Sequence, residues 1–563
     1  MKPRPWASAL GPVAIAAATL AAYGNTLHGA FVFDDPTSIA GNPTIRHLSH
    51  WRAILATPHA TVSAEGRPVL NLTLALNYAA GKTSVVGYHA VNLAIHIAAA
   101  LVLYGVLRRI LAAVPRLAPW AAPLGWAVAL VWAVHPLQTE SVTYIIQRAE
   151  SLMGLFYLLT FYAFLRGWSA AAVAACFLGM ATKENMVSAP LAVLLCDRLL
   201  FAGSFKAALR ARPAMYAGLA ASWILLAYLI GSTGGNRGGS IGFGLKESWP
   251  AYWFTQFPAI ARYLSLCIWP HPLIFEFGSF WVHDFLAVWK PALLVVALLA
   301  ATAVALRRWP AAGLAGFCFF AILAPTSLVP GTTQMIVEHR MYLPLACVLA
   351  IVAGVAAALW PRATIACLIV AAVPCIALTR LRNEDYRTPV ALWDATVRER
   401  PDNALARVML ADALRSAGQD GEALAQYEWA VRLRPAFPLA QESLGEFLLG
   451  QGRVPEAEEH FRAAMRAKPD YADAHVNFGI ALARTGDLAT AIAQERRAVA
   501  IKPAYEPGHL ELARLLARTG RTAEAEKEYQ ACLAIDPDDK AARSALKALG
   551  ADSGSRDPGA PRR

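Results

Sequence analysis

Apolar residues fill long blocks of the chain up to about residue 380, after which the pattern turns charged and alanine-rich. Blocks long enough to cross a bilayer fall at about 7–27, 88–111, 120–138, 150–166, 168–182, 186–203, 213–231, 285–305, 311–329, 341–359 and 362–379. The pattern predicts an all-α protein that begins as a polytopic membrane helical bundle of about eleven spans. Residues 250–270 are also apolar and aromatic. A full crossing there puts Arg307 and Arg308 on the outer side, so the segment is expected to be interfacial or re-entrant.

With the N-terminus inside, alternate connections carry Lys2 and Arg4; Arg108, Arg109 and Arg116; Arg166; Arg198, Lys206, Arg210 and Arg212; Arg307 and Arg308; and Arg362. This is the positive-inside pattern. An odd number of crossings puts the long first connection, about 28–87, on the outer face with everything after residue 380. A basic start and an apolar core over 1–27 also fit a cleaved leader, but the residues before Asp34 offer no convincing small-x-small site, and a first span is preferred.

In the last third, prolines recur at Pro401, Pro435, Pro469, Pro503 and Pro537, a period of 34 residues. Helix-pair positions repeat with them: Leu410, Ala423, Tyr427 and Ala430; Leu444, Gly445, Ala457, Phe461 and Ala464; Phe478, Gly479, Ala491 and Ala498; Leu512, Ala525 and Tyr529. That is the pattern of a tetratricopeptide-repeat α-solenoid, whose stacked hairpins leave a groove for extended polypeptide. Glu495 stands where the neighbouring repeats have Tyr427, Phe461 and Tyr529, so packing there is expected to be weaker or the charge to face out. The expected domains are a membrane domain at 1–380, a linker at 381–400, about four repeats at 401–545 and a disordered tail at 546–563.

Composition agrees with the pattern. Of 563 residues, 57% are hydrophobic, too many for an ordinary soluble domain. The net charge of +12 raises the question of nucleic acid, but the inner connections account for much of it, so no nucleic acid partner is expected. Seven of the eight cysteines lie in or beside apolar segments, so no disulfide framework is visible.

The candidate chemistry begins at Phe31-Val32-Phe33-Asp34-Asp35-Pro36, where two adjacent carboxylates follow the first span. Asp35-Pro36 also reads as a turn. His89, Asn92 and His96 share a helix face, where hydrogen bonding between helices is favoured over metal ligation. His135, Glu140, Arg148 and Glu150 crowd between two apolar spans, a density of polar groups that calls for a polar cavity. Lys183-Glu184 and Glu338-His339-Arg340 face the same side, although Lys183 reads equally well as an interfacial anchor. Acids from one connection and cations from others suit a sugar carried on a polyprenyl phosphate. The phosphate needs cations at the interface, and a single base takes the acceptor's proton.

Taken together, Phe31-Val32-Phe33-Asp34-Asp35, Arg67-Pro68, Tyr88-His89-Ala90-Val91-Asn92, His135-Pro136 with Thr139-Glu140, Arg148-Ala149-Glu150, Lys183-Glu184, Glu338-His339-Arg340 with Tyr342-Leu343-Pro344, and the trailing repeats resemble the transmembrane and tetratricopeptide-repeat-containing O-mannosyltransferases, within the C-type (GT-C) glycosyltransferases. The resemblance implies a polyprenyl-phosphate mannose donor, Ser or Thr hydroxyls of exported proteins as acceptors, and no nicotinamide or nucleotide cofactor. It implies that Asp34 is the base or its essential partner, that Asp35 orients it or the acceptor, and that Glu140 is a second acid lining the pocket. Arg148 and Arg340 are then the candidates for the lipid phosphate, His135 and Arg67 shape the site, and His89 and Lys183 join the substrate-binding set. A divalent ion held by Asp34, Asp35 and Glu140 is conceivable on chemical grounds, but a base needs none and no metal is expected. The expected setting is a bacterial inner membrane with the repeats on the periplasmic side. Two rivals stand beside this reading: a non-catalytic scaffold, and a glycosyltransferase acting on a glycolipid or surface polysaccharide.

Overall fold

A computed structural model describes residues 5–56, 63–233, 249–278, 280–331 and 335–554. The described residues are helical and form two compact units, Met1–Arg400 and Pro401–Arg563. In the first unit, seven helices among the described residues are long and apolar enough to cross a membrane: Leu10–His28, Val85–Ala112, Glu184–Ala202, Pro213–Ser232, Trp289–Arg308, Pro310–Leu328 and Pro361–Asp385. The segment expected at 120–138 is a bent pair, Ala118–Val134 and Pro136–Thr143, set at 57°. Pro136 lacks the N–H a continuous helix needs, and the extended His135 turns the chain, its Nδ1 accepting from the Leu137 N–H at 3.2 Å. The remaining expected segments are helices Arg148–Leu165, Ser169–Met180 and Pro344–Leu359. Of these, Ser169–Met180 has 12 residues, roughly 18 Å of rise, and is shorter than a hydrocarbon core. Residues 250–270 fall in one continuous helix, Trp249–Ile268, which buries Tyr252, Thr255 and Tyr263 and exposes Trp253 and Ile268.

Eight elements carry the rest of the description: α1 (Pro5–Tyr23), α2 (Pro68–Gly81), α3 (Val85–Ala112), α4 (Ala121–Val134), α5 (Arg148–Leu165), α6 (Ser169–Met180), α7 (Pro361–Asp385) and α8 (Pro389–Glu399). The first span is built into the bundle. Trp126 Nε1 of α4 donates to the Gly11 carbonyl at 2.8 Å. At its C-terminal end, Arg380 donates to the Ala21 carbonyl at 2.6 Å and Asn383 to the Ala22 carbonyl at 3.0 Å. Asn25 returns a hydrogen bond to Glu384 at 2.8 Å, so α1 and α7 are clasped together.

The expected linker at 381–400 is not one. α7 runs on to Asp385, and α8 buries Leu392, Trp393 and Thr396 within the first unit. Its apolar face explains the difference: Trp393 packs on Phe33 and Phe275 at ring separations of 5.5 and 5.3 Å, burial that an open linker forfeits.

In the second unit the helix pairs are Ala404–Ser416 with Asp420–Leu433, Pro438–Gly450 with Val454–Ala467, Ala472–Thr485 with Leu488–Ile501, and Glu506–Arg518 with Thr522–Ile535. Each hairpin turns at a glycine with positive φ, Gly418, Gly452, Gly486 and Gly520, where a side chain is strained. The following N–H reaches back to a leucine carbonyl each time, as from Gln419 to Leu414 and from Arg453 to Leu448, both at 2.9 Å. The period prolines end each repeat, and the side chain six residues on binds their carbonyls: Arg407 to Pro401 at 2.9 Å and Gln441 to Pro435 at 2.8 Å, with the rings of His475 and His509 contacting Pro469 and Pro503. Helix Lys540–Gly554 closes the run, which places a helix on residues expected as tail; positions 555–563 lie outside the described residues.

Candidate active site

The two adjacent aspartates have different work. Asp35 is fully buried, its Oδ2 accepting from the Val32 N–H at 3.1 Å and its Oδ1 from the Ile146 N–H at 2.8 Å. It staples the connection between α1 and α2 to the turn before α5. Burial pushes its carboxyl up to about 8, against the pull of those two donors. Asp34 is only partly buried. Its Oδ2 accepts from Ser63 Oγ at 3.1 Å, while its backbone N–H donates to Tyr144 Oη at 3.0 Å. Burial raises its carboxyl above the usual range, and the Ser63 and Tyr144 hydroxyls and the Arg67 charge pull it back. Just before it, Phe33 adopts φ of 50°, a left-handed conformation costly for an aromatic residue. Its ring is wedged against Phe275 and Trp393, contacts that hold the strained turn in place.

Other charged groups gather around Asp34. Arg67 donates to the Ser63 carbonyl at 2.9 Å and lies 3.4 Å from the Glu184 carboxylate. Glu140 accepts from the His339 N–H at 2.9 Å and pairs with His339 Nδ1 at 2.6 Å. Lys183 and Glu150 form a buried ion pair. Arg382, at the end of α7, binds Asp385 at 2.9 Å and reaches Glu338 at 4.0 Å. Glu276 is buried on the connection after helix Trp249–Ile268. Burial pushes its carboxyl up to about 7, helped by the nearby charges of Glu140 and Asp34. Burial likewise raises Glu338 to about 8 against the pull of Arg382. The result is an acid-rich basin flanked by guanidinium and ammonium groups.

Tetratricopeptide repeat family models match residues 376–436, 421–472 and 448–506, and a further one matches 482–549. The chain is 30% identical over 191 residues to the protein O-mannosyl-transferase Tmtc1 of Drosophila melanogaster, covering 31% of this chain and 21% of that protein. It is 33% identical over 143 residues to a protein O-mannosyl-transferase of Caenorhabditis elegans, covering 24% and 20%. The mouse TMTC1 enzyme is 31% identical over 171 residues, covering 29% and 17%.

Over part of its length the chain is similar to protein O-mannosyl-transferases.

It matches only about a fifth of the length of these relatives. Among solved structures, YrrB, a repeat protein described as having an unusual peptide-binding site, aligns over 29% of this chain and 85% of its own, at 22% identity and a TM-score of 0.25. A thermophilic repeat protein of Thermus thermophilus, TTC0263, aligns over 32% and 95%, at 24% identity and a TM-score of 0.27. Its seven long apolar helices make the present chain a multi-pass membrane protein, and it carries tetratricopeptide repeats.

The candidates read from the sequence divide. Asp34, Glu140, Arg67, Arg340 and Lys183 lie around the basin, Arg340 donating to the Met335 carbonyl at 3.1 Å. Arg148 does not present itself to a phosphate. It is wholly buried, its Nε donating to Asn92 at 2.6 Å, its Nη2 to the Tyr88 carbonyl at 3.0 Å and its Nη1 to the Thr73 carbonyl at 3.3 Å. It ties α2 and α3 to α5, a task that consumes its donors. His135 caps the break after α4, and His89 lies 3.3 Å from the Gly29 carbonyl, so both hold backbone rather than shape a pocket. His96 bridges Tyr342 at 2.9 Å and the Ala133 carbonyl at 2.8 Å, as hydrogen bonding between helices requires. Asp35 spends both oxygens on backbone donors.

Ser63, Glu276 and Arg382 were not read from the sequence. Glu276 had a signal, a lone carboxylate inside Phe275-Glu276-Phe277. Arg382 was hidden in the residues taken for linker, and Ser63 had none. Arg148→Ala is expected to cost about 3 kcal/mol or more, because it strands buried acceptors. The check is thermal unfolding in detergent, with donor affinity unchanged in whatever folded protein remains.

Proposed function

We propose that the chain is an integral membrane glycosyltransferase that moves mannose from a polyprenyl-phosphate carrier to Ser or Thr hydroxyls of proteins on the outer face of the membrane. The observation that carries this reading is the division of labour at residues 34 and 35: one carboxylate is committed to the backbone, while the other stands partly open beside a hydroxyl and a guanidinium. The names of the relatives supply the sugar and the protein acceptor.

In this reading Asp34 takes the proton of the acceptor hydroxyl as its oxygen bonds to the anomeric carbon. The bond from that carbon to the carrier phosphate breaks, and the phosphate departs as an anion. A leaving group that stable needs cations rather than an acid, and Arg67, Arg340 and Lys183 are the candidates to supply them. The repeats raise the local concentration of acceptor polypeptide.

Membranes holding the full chain are expected to move label from radiolabelled polyprenyl-phosphate mannose to a Ser/Thr-rich polypeptide. Removing residues 401–563 is expected to lower acceptor use roughly tenfold or more while donor binding stays within about twofold. A complete lack of transfer favours the scaffold. Transfer to glycolipid alone replaces the protein acceptor.

A further inference from the structure

At the ends of α3 and α5 remote from the acidic basin, the bundle surface holds an apolar groove of about 370 Å³, lined by Val102, Tyr162, Trp168, Ala171, Ala174 and Leu178 among others. α3 meets the basin side through Asn92, which binds Arg148, and reaches Arg109 roughly 25 Å further along its axis. Two sequence features shape the groove. A side chain at Gly105 meets Tyr162 at 2.5 Å, so only glycine lets that ring lie flat on α3. The alanines of α6 keep the opposite wall low.

One end of the groove is cationic. The Arg109 guanidinium lies 4.5 Å from the centre of the Tyr162 ring, and that of Arg166 lies 4.7 Å from Trp168. The two rings meet edge to face at 6.2 Å, which brings both cations to the same mouth. Arg109 donates to the Gly105 carbonyl at 2.9 Å, and among the described residues neither arginine has a carboxylate partner. Arg166 and Trp168 are exposed.

We infer that this groove is a binding site for one anionic phospholipid of the surrounding bilayer, with an acyl chain in the slot and the phosphate between Arg109 and Arg166. An apolar slot within a membrane is filled by hydrocarbon, since emptiness forfeits dispersion contacts and water finds no partners there. Two guanidinium groups that no carboxylate neutralises select for negative charge at its mouth, and the ammonium of a zwitterionic headgroup loses by the same field. The site is independent of the transfer reaction and lies at the other end of the helices.

The test is native mass spectrometry of the full chain released from bilayers of mixed phosphatidylglycerol and phosphatidylcholine. The parent is expected to retain one phosphatidylglycerol in preference to phosphatidylcholine. Arg166→Ala, at an exposed position that leaves the core untouched, is expected to weaken that retention about fivefold, and Arg109→Ala with Arg166→Ala about thirtyfold. Ala174→Leu is expected to reduce retention of both lipids with the arginines intact. Equal retention of the two lipids by the parent overturns the proposal, as does unchanged retention in Arg166→Ala and Ala174→Leu. Displacement by an equal amount of polyprenyl phosphate reassigns the groove to the carrier and overturns the phospholipid. Crosslinks from residue 174 to a second copy of the chain assign the face to dimerisation and overturn it as well.

Discussion

An Asp34→Asn chain is expected to insert, purify and unfold like its parent, yet to lose roughly a hundred- to ten-thousand-fold in transfer rate, the range that a general base contributes. An amide still accepts from Ser63, so the local structure stands while the proton acceptor is gone. Asp35→Asn is expected to fail differently. Whichever way the amide is placed, its NH2 faces either the Val32 or the Ile146 N–H, leaving a buried donor unpaired at a cost of about 1–3 kcal/mol.

The pH dependence follows from the same geometry. The Asp35 carboxyl sits near 8 in the fold against an ordinary 3.8, so the folded state favours its protonated form. That contribution is fully present below the ordinary value and drains away as pH rises through about 8. Thermal unfolding in detergent at pH 5 and pH 9 is therefore expected to show the parent weakening with alkali, and Asp35→Asn losing that slope. Undiminished transfer by Asp34→Asn removes it from the reaction, and an Asp35→Asn chain as stable as its parent removes the staple.

The second large effect is expected in the repeats. Glu495 is wholly buried, and among the described residues neither carboxyl oxygen has a hydrogen-bond partner. It presses on Gly479, in the place where the Phe461 ring covers Gly445 one repeat earlier. The sequence left open whether this charge faces outward; it faces in, because its position in the hairpin lies between the two helices of the pair. Burial, with the charge of Glu511 adding to it, pushes the carboxyl up to about 9. Glu495→Phe replaces an unsatisfied polar group by the ring the neighbouring repeat already accommodates, and is expected to stabilise the third repeat by about 2–4 kcal/mol. Hydrogen exchange of helices Ala472–Thr485 and Leu488–Ile501 is the direct measure. The sign with pH is the same as for Asp35. The wild-type repeat is firmest in acid and loosens as pH rises from the ordinary 4.5 toward about 9, whereas the Phe variant is flat. Faster exchange in Glu495→Phe defeats the argument.

These two sites also mark how far the sequence could be read. Spans and repeats were legible because each rests on periodicity: apolar blocks set by bilayer thickness, and prolines whose carbonyls are bound once per turn of the repeat. The acids at 34 and 140 stood out in the sequence because carboxylates beside apolar spans are costly. What the sequence did not carry was direction. Nothing in Asp34-Asp35 says which carboxyl meets Ile146, a residue more than a hundred positions away. Arg148 looked like a phosphate ligand until Asn92, Tyr88 and Thr73 were found to take its hydrogen bonds, all of them from earlier helices. Residues 381–400 looked like a linker because the partners of Trp393, Phe33 and Phe275, are distant in the chain.

The clasp between α1 and α7 fixes an order of events during synthesis. Ala21, Ala22 and Asn25 leave the ribosome more than three hundred and fifty positions before their partners Arg380, Asn383 and Glu384. A nascent chain stalled anywhere before that point lacks this latch on the C-terminal end of α1.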